Sequence, residues 1–354
     1  MAAAGTGAAL ALLAAACLST GCSTLGFYGQ AVRGHLDIVQ RTRPVADWLA
    51  DDGTPQALRA RLLLSQRIRD FAVAELKLPD NRSYRGFADL GRSAVVWNVV
   101  AAPELGLELK TWCFAFAGCV GYRGYFSEPP ARALAAGLQA QGWQTHVYGV
   151  PAYSTLGRTE WLGGDPLLNT FIRWPEGELA RLIFHELAHQ VVYVKDDTAF
   201  NESYATAVER LGVQRWLQQH AGDAARAEYA ALDARREDFR RLTQATRERL
   251  RALYAAGGEP EGLRAGRDRI LAGMRAEHQA LKDGPWAGFA GFDTWFASAN
   301  NASLAVQAAY DELVPDFEAL FDRVGGDFAR FHAEVGALAA LPAAERRARL
   351  AARP

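Results

Sequence analysis

The sequence lacks any bias of charge. Its 39 Lys+Arg and 40 Asp+Glu residues leave a formal net charge of -1, which argues against a basic nucleic-acid surface and gives no field to steer a charged partner. No run of five or six like charges offers an interaction tail. Apolar runs are short as well. The N-terminal one, Ala8 to Leu18, is too short to span a bilayer. Cysteine is scarce. Of four, Cys17 and Cys22 lie near the N-terminus, and the remaining pair, Cys113 and Cys119, cannot by itself complete a cysteine-type zinc site. No repeat at a fixed period is visible, so a solenoid is excluded.

The composition that remains is globular, with half the residues hydrophobic and 22% charged. An N-terminal segment, 1–22, precedes a single domain, 23–354. Residues 25–90 read as helical, with a break at Asp51 to Pro55 where Pro55 opens a second helix. Residues 91–170 carry β-branched and aromatic runs, 94–101, 107–116, 120–126 and 145–150, around a helix at 129–140. A loop rich in Gly, Pro, Ser and Thr, 151–169, leads into a mainly helical part, 171–354. Within it, 223–255 reads as a long exposed helix or helical hairpin with a solvated face. The fold class expected is α+β, mainly α, with a small β-sheet before the helix that carries the motif described next.

Residues 181 to 194 read Arg-Leu-Ile-Phe-His-Glu-Leu-Ala-His-Gln-Val-Val-Tyr-Val. On a helix, His185 and His189 stand one turn apart on one face, where two imidazoles can reach one Zn²⁺. Glu186 lies beside the first, placed to act on water rather than to bind the metal. This is the H-E-x-x-H pattern. The surrounding residues are apolar, and two His and a Glu buried without partners would be costly, a cost that coordination removes. The third metal ligand expected is Glu202, in Asn201-Glu202-Ser203-Tyr204-Ala205 at the start of a second helix. Such a pattern resembles the third-ligand motif of gluzincins, whose site is His₂Glu with one open position. The H-E-x-x-H-x-x-G-x-x-H pattern is absent, which excludes a metzincin. Where many gluzincins carry an acid four residues after the third ligand, this chain has Thr206; Glu209, two turns after Glu202, is the candidate to orient a His ring. The cofactor expected is one Zn²⁺, with Glu186 as general base. Tyr310, then Tyr153, are the candidate donors to an oxyanion.

The chain also resembles a bacterial family of predicted aminopeptidases, often lipoproteins. The residues that carry this are Tyr28-Gly29-Gln30-Ala31, Gly34-His35-Leu36, Gly118 to Phe126, Ala152 to Gly157, Asp165 to Asn169, the two zinc-site motifs, Asn300-Asn301-Ala302 and Tyr310. The resemblance implies a gluzincin-like zinc aminopeptidase acting on peptides. The Gly-x-Met-Glu-Asn motif of well-known gluzincin aminopeptidases is missing. Asp165, Asn300 and Asn301 are candidates to bind a substrate amine, though loop capping explains each equally well; Arg123 is a candidate for a substrate carboxylate. A zinc endopeptidase or cell-wall amidase, or a non-catalytic envelope lipoprotein with a relic metal site, are the competing readings.

Leu18 to Ser23 resembles a bacterial lipobox, in which Cys22 would be lipidated after export. Ser23 follows without an Asp, so the expected location is the outer membrane, facing the periplasm. In that oxidising compartment Cys113 and Cys119 could form a disulfide across a short hairpin, or remain two small buried thiols.

Overall fold

The computed structural model describes residues 26–114, 118–152, 154–155, 163–307 and 313–352. The proposed signal segment with Cys22, and the candidates Tyr153 and Tyr310, lie outside the described residues. The described residues are 61% helix with small sheets, which makes the fold α+β and mainly α, as expected. Among the described residues, no helix is long and apolar enough to cross a membrane.

The first helix, α1, covers residues 26–41. It is followed by β1 (Arg43–Pro44), α2 (Val45–Ala50) and α3 (Gln56–Ala74). Pro55 is the residue just before α3, in the extended conformation of a helix N-cap. The strands β2 (Gly86–Ala88), β3 (Val96–Pro103), β4 (Trp112–Phe114), β5 (Gly118–Val120) and β6 (Arg123–Tyr125) lead to α4 (Glu128–Gln139), β7 (Trp143–Val150) and β8 (Leu167–Leu168). The strands form two three-stranded sheets, β1-β2-β8 and β6-β3-β7, and the hairpin β4-β5. Of the expected strand at 107–116, the described residues pair over Trp112–Phe114, in a local hairpin with β5. The pairing of β1, β2 and β8 was not legible, since runs of two or three residues carry no period.

The remainder is helical: α5 (Glu176–Ala188), α6 (Thr198–His220), α7 (Asp223–Ala256), α8 (Pro260–Asp283), α9 (Asp293–Ser298), α10 (Asn301–Gln307), α11 (Val314–Arg323), α12 (Phe328–Ala339) and α13 (Ala343–Ala351). The main core gathers Leu62, Ile68 and Phe71 of α3, Leu179, Ile183, Phe184 and Leu187 of α5, Phe200 and Tyr204 of α6, and Phe317 and Phe331 of α11 and α12. Each such side chain contributes about 1.5–3 kcal/mol on burial. Burial of one face of α5 in this core fixes the rotation of the helix and turns its opposite face, Glu178, Arg181, Leu182, His185 and Glu186, toward a cavity. A second core lies between α7, α8 and α9, around Leu242, Leu250, Leu271, Met274, Trp286 and Phe296. Thus α7 is one helix of a hairpin with a buried stripe, not a wholly solvated one.

A disulfide joins Cys113 and Cys119, which face each other in the β4-β5 register. This hairpin docks on the loop between α5 and α6: the Cys119 N–H donates to Asp196 Oδ1 at 3.0 Å. Gly118 permits that approach, with φ at 75° and no room for a Cβ beside the Asp196 carboxylate.

Candidate metal centre

His185 lies in the last turn of α5 and His189 is the residue that caps its end, so both rings sit where the helix stops. Their ring centroids are 4.8 Å apart and nearly perpendicular. The chain then turns through Asp196, whose φ is 64°. Two devices hold that turn. Asn201 accepts from the Val194 N–H and donates to its carbonyl, both at 2.7 Å. Asp197 caps α6 by accepting from the Phe200 N–H, and its other oxygen pairs with Arg346 of α13. The helix therefore begins at Thr198, three residues before the expected start, and Glu202 falls in its second turn, facing the two imidazoles.

Three donor atoms converge. His185 Nε2 lies 3.2 Å from His189 Nε2 and 3.3 Å from Glu202 Oε2, and His189 Nε2 lies 3.7 Å from the same oxygen. A tetrahedral ion ~2.0–2.1 Å from each donor would space its donors about 3.3 Å apart. The three residues form the one group among the described residues that could hold a metal ion. The tautomer supports that fit. His185 Nδ1 faces Glu209 Oε2 at 2.9 Å. A carboxylate only accepts, so Nδ1 donates and Nε2 is the nitrogen turned to the triangle, where the neutral ring presents a lone pair. Two imidazole nitrogens and a carboxylate within such distances need positive charge between them, which a metal ion or a proton on one ring supplies.

Glu209 is itself held. Arg181, one turn before His185 along α5, donates to its Oε1 at 2.6 Å. Burial pushes the Glu209 carboxyl up, but Arg181 and His185 outweigh it and hold the group below the usual carboxylate range. Burial likewise opposes charge on His185, yet the carboxylates of Glu202 and Glu209 raise its pKa well above the ordinary value. Burial raises Glu202 too, and its contacts with His185 and His189 more than reverse this. His189 Nδ1 is buried with no hydrogen-bond partner among the described residues, so among them a carboxylate orients the His185 ring alone at Nδ1.

Glu186 is half-buried and lines the cavity beside His185. Tyr148 of β7 lines the same cavity. Burial raises its phenol, and so does the nearby charge of Glu202. Sequence reasoning missed Tyr148, because an edge strand carries no motif. It also missed Arg181, although four residues before His185 on one helix face is a legible spacing. Tyr84, buried in the main core, feels the charges of Glu186 and Asp165; its φ is 63° and its hydroxyl has no partner among the described residues.

The other candidates are engaged elsewhere. Asn301 is fully buried. Its amide donates to the carbonyls of Pro103 and Glu104 and accepts from the Tyr254 hydroxyl, so it is a structural residue and not a substrate ligand. Asn300 caps α10 by accepting from the Ser303 N–H, and donates to the Thr145 carbonyl. Asp165 is 2% exposed and accepts from the Thr155 N–H and hydroxyl and from Ser154. It ties Ser154 and Thr155 to the residues just before β8. Arg123 stacks over Phe27 and Tyr125, where it packs α1 against β6 outside the cavity.

A search of curated proteins and one of solved structures found no match. A family model described as putative aminopeptidase matches residues 26–350, a span that includes both ligand-bearing helices and the cavity beside them, and the chain belongs to that family.

Proposed function

We propose that the protein is a zinc-dependent aminopeptidase that hydrolyses N-terminal peptide bonds in the bacterial envelope. The observation that carries this reading is the triangle of His185 Nε2, His189 Nε2 and Glu202 Oε2, with Glu186 beside it in the cavity wall. Family membership supports a peptidase. His185, His189 and Glu202 would hold the ion. Bound there, zinc lowers the pKa of a water and polarises a carbonyl. Glu186 takes a proton from the attacking water and delivers it to the leaving amine. Glu209, backed by Arg181, keeps the His185 ring in the ligating tautomer. Tyr148, whose phenol lies in the cavity wall, is the candidate donor to the developing oxyanion. Export and lipidation at Cys22 complete the proposal.

The test is metal analysis of the protein together with rates on free and N-acetylated peptides, with Glu186→Gln alongside. One zinc per chain and Glu186-dependent cleavage of free N-termini only is the expected result. Cleavage of blocked peptides would keep the chemistry and discard the exopeptidase assignment. Failure to retain or take up zinc would overturn the reading.

A further inference from the structure

The cavity beside the metal centre is larger than the reacting bond requires. It encloses about 520 Å³. Along α5 it runs from His185 back to Glu178, seven residues or roughly 10 Å of helix. Away from the donor triangle its wall carries a large apolar part: Trp174, Leu182, Phe239, Phe292, Trp295 and Val306. Phe239 is the hub. Its ring lies 4.8 Å from Phe292 and 4.7 Å from Trp295. These three fringe the second core and are only partly buried by it, so each keeps an aromatic face for the cavity. Apolar surface of this kind in a concave site is what binds an apolar group.

The charges in the same wall are accounted for. Glu178 is paired with Arg236 at 2.6 Å and with Arg181 at 3.8 Å. Glu209 is paired with Arg181 and His185. Among the described residues, Arg240 pairs only with Glu237, one turn away on α7. Apart from the proposed base Glu186, no carboxylate among the described residues of the wall is left to receive a cation, whereas Arg240 would repel one.

From this arrangement we infer that the α5–α7–α9 pocket sets specificity: it takes a bulky apolar side chain, aromatic or branched aliphatic, of a residue flanking the scissile bond, and it refuses basic ones. This rests on the peptidase reading for the position of the scissile bond, but the shape and chemistry of the pocket stand apart from it. Phe239, Phe292 and Trp295 are the specificity-determining residues.

The test uses the full chain carrying Glu186→Gln, which binds without turnover, and two tripeptide sets, Xaa-Ala-Ala and Ala-Xaa-Ala, with Phe, Leu, Ala or Lys at Xaa. Tryptophan fluorescence reads binding directly, because Trp174 and Trp295 lie in the wall. In one of the two sets Phe and Leu should bind roughly ten- to a hundred-fold more tightly than Ala, and Lys no more tightly than Ala. The parent chain should rank the same peptides in the same order by kcat/KM. Leu182→Trp, which fills the pocket, and Phe292→Ala, which strips its wall, should each reduce the Phe-to-Ala ratio about ten-fold. A flat profile in both sets, a preference for Lys, or a ratio unchanged in both variants would overturn the assignment. Absence of turnover by the parent with the binding order intact would overturn the peptidase reading and support the pocket.

Discussion

The α5–α6 centre and the aromatic wall of α7 and α9 share one cavity but are built on opposite principles. In the first, most polar groups have a directional partner. Arg181, Glu209, His185 and the donor triangle form a chain of short contacts, fixed at the other end by the Asn201 clasp and the Asp197–Arg346 pair. In the second, Phe239, Phe292 and Trp295 meet through ring contacts alone. A low-dielectric polar network punishes each missing partner, whereas an aromatic wall tolerates exchange of volume and loses only area. Substitutions in the centre should therefore abolish function, and those in the wall should shift preference among substrates.

The sharpest way to break that comparison is Glu186→Gln. The side chain keeps its size and the triangle keeps its donors, so metal content should be unchanged while kcat falls about 10²–10⁴-fold. Rates on a free peptide and zinc analysis of the same sample decide it. A fall below ten-fold would remove Glu186 as the proton carrier and with it the distinction drawn between the two regions.

The same contrast explains what the sequence discloses. Glu186 and both His ligands lie within five residues of one helix, and Glu202 and Glu209 are two turns apart on the next, so helical spacing alone places them on common faces. Even the departure at Thr206 is legible, because another acid is available on the same face. The wall is not legible. Phe239 sits in a stretch whose charge density reads as a solvated helix, and its partners come from 53 and 56 residues further along (292 − 239 and 295 − 239). Nothing local says that residues of α7 and α9 line the cavity beside α5. Asn301 fails in the other direction: a resemblance marked it, but its burial on the sheet side of α10 gave it to the fold. Where residues share an element, spacing carries the chemistry; where tertiary packing assembles them, it does not.

A second break is aimed at the frame of the centre. Arg346 and Asp197 are nearly buried, at 6% and 11% side-chain exposure, with Arg347 approaching the same carboxylate to 3.9 Å. Arg346→Met leaves Asp197 half-satisfied. It should destabilise the chain by about 3 kcal/mol, the low end for breaking a buried pair, because Arg347 compensates in part. Urea unfolding with and without zinc reads this. If stability is unchanged, α13 does not hold the start of the Glu202 helix.

Glu209→Gln is a smaller perturbation of the centre. The amide presents either its oxygen or its NH₂ to His185 Nδ1 and no longer offsets the Arg181 charge. Zinc affinity, measured by competition with a chelator, should fall about 10–100-fold. Arg181→Met should act in the same direction through Glu209. An unchanged affinity in both would mean that the His185 ring is held by packing alone.

The smallest effect separates Asp165 from the catalytic region. Burial is the main reason its carboxyl is raised to about 6, the bonds from Thr155 oppose that, and the charge of Glu186 adds to it. A carboxyl raised in the folded state favours folding while it is protonated in both states, below the ordinary Asp value near 3.8. Its contribution is lost as pH rises through about 6. Most of the remaining loss falls between pH 5 and pH 7, where linkage between those two values gives about 1 kcal/mol. The parent chain should therefore lose about that much relative to Asp165→Asn over this interval, since the other titrating groups are common to both and cancel, apart from the coupling between Asp165 and Glu186. Urea unfolding of both proteins at the two pH values measures the difference. Parallel pH profiles would mean that Asp165 ionises as freely in the folded chain as in the unfolded one, and its hydrogen bonds from Ser154 and Thr155 would then have to outweigh its burial.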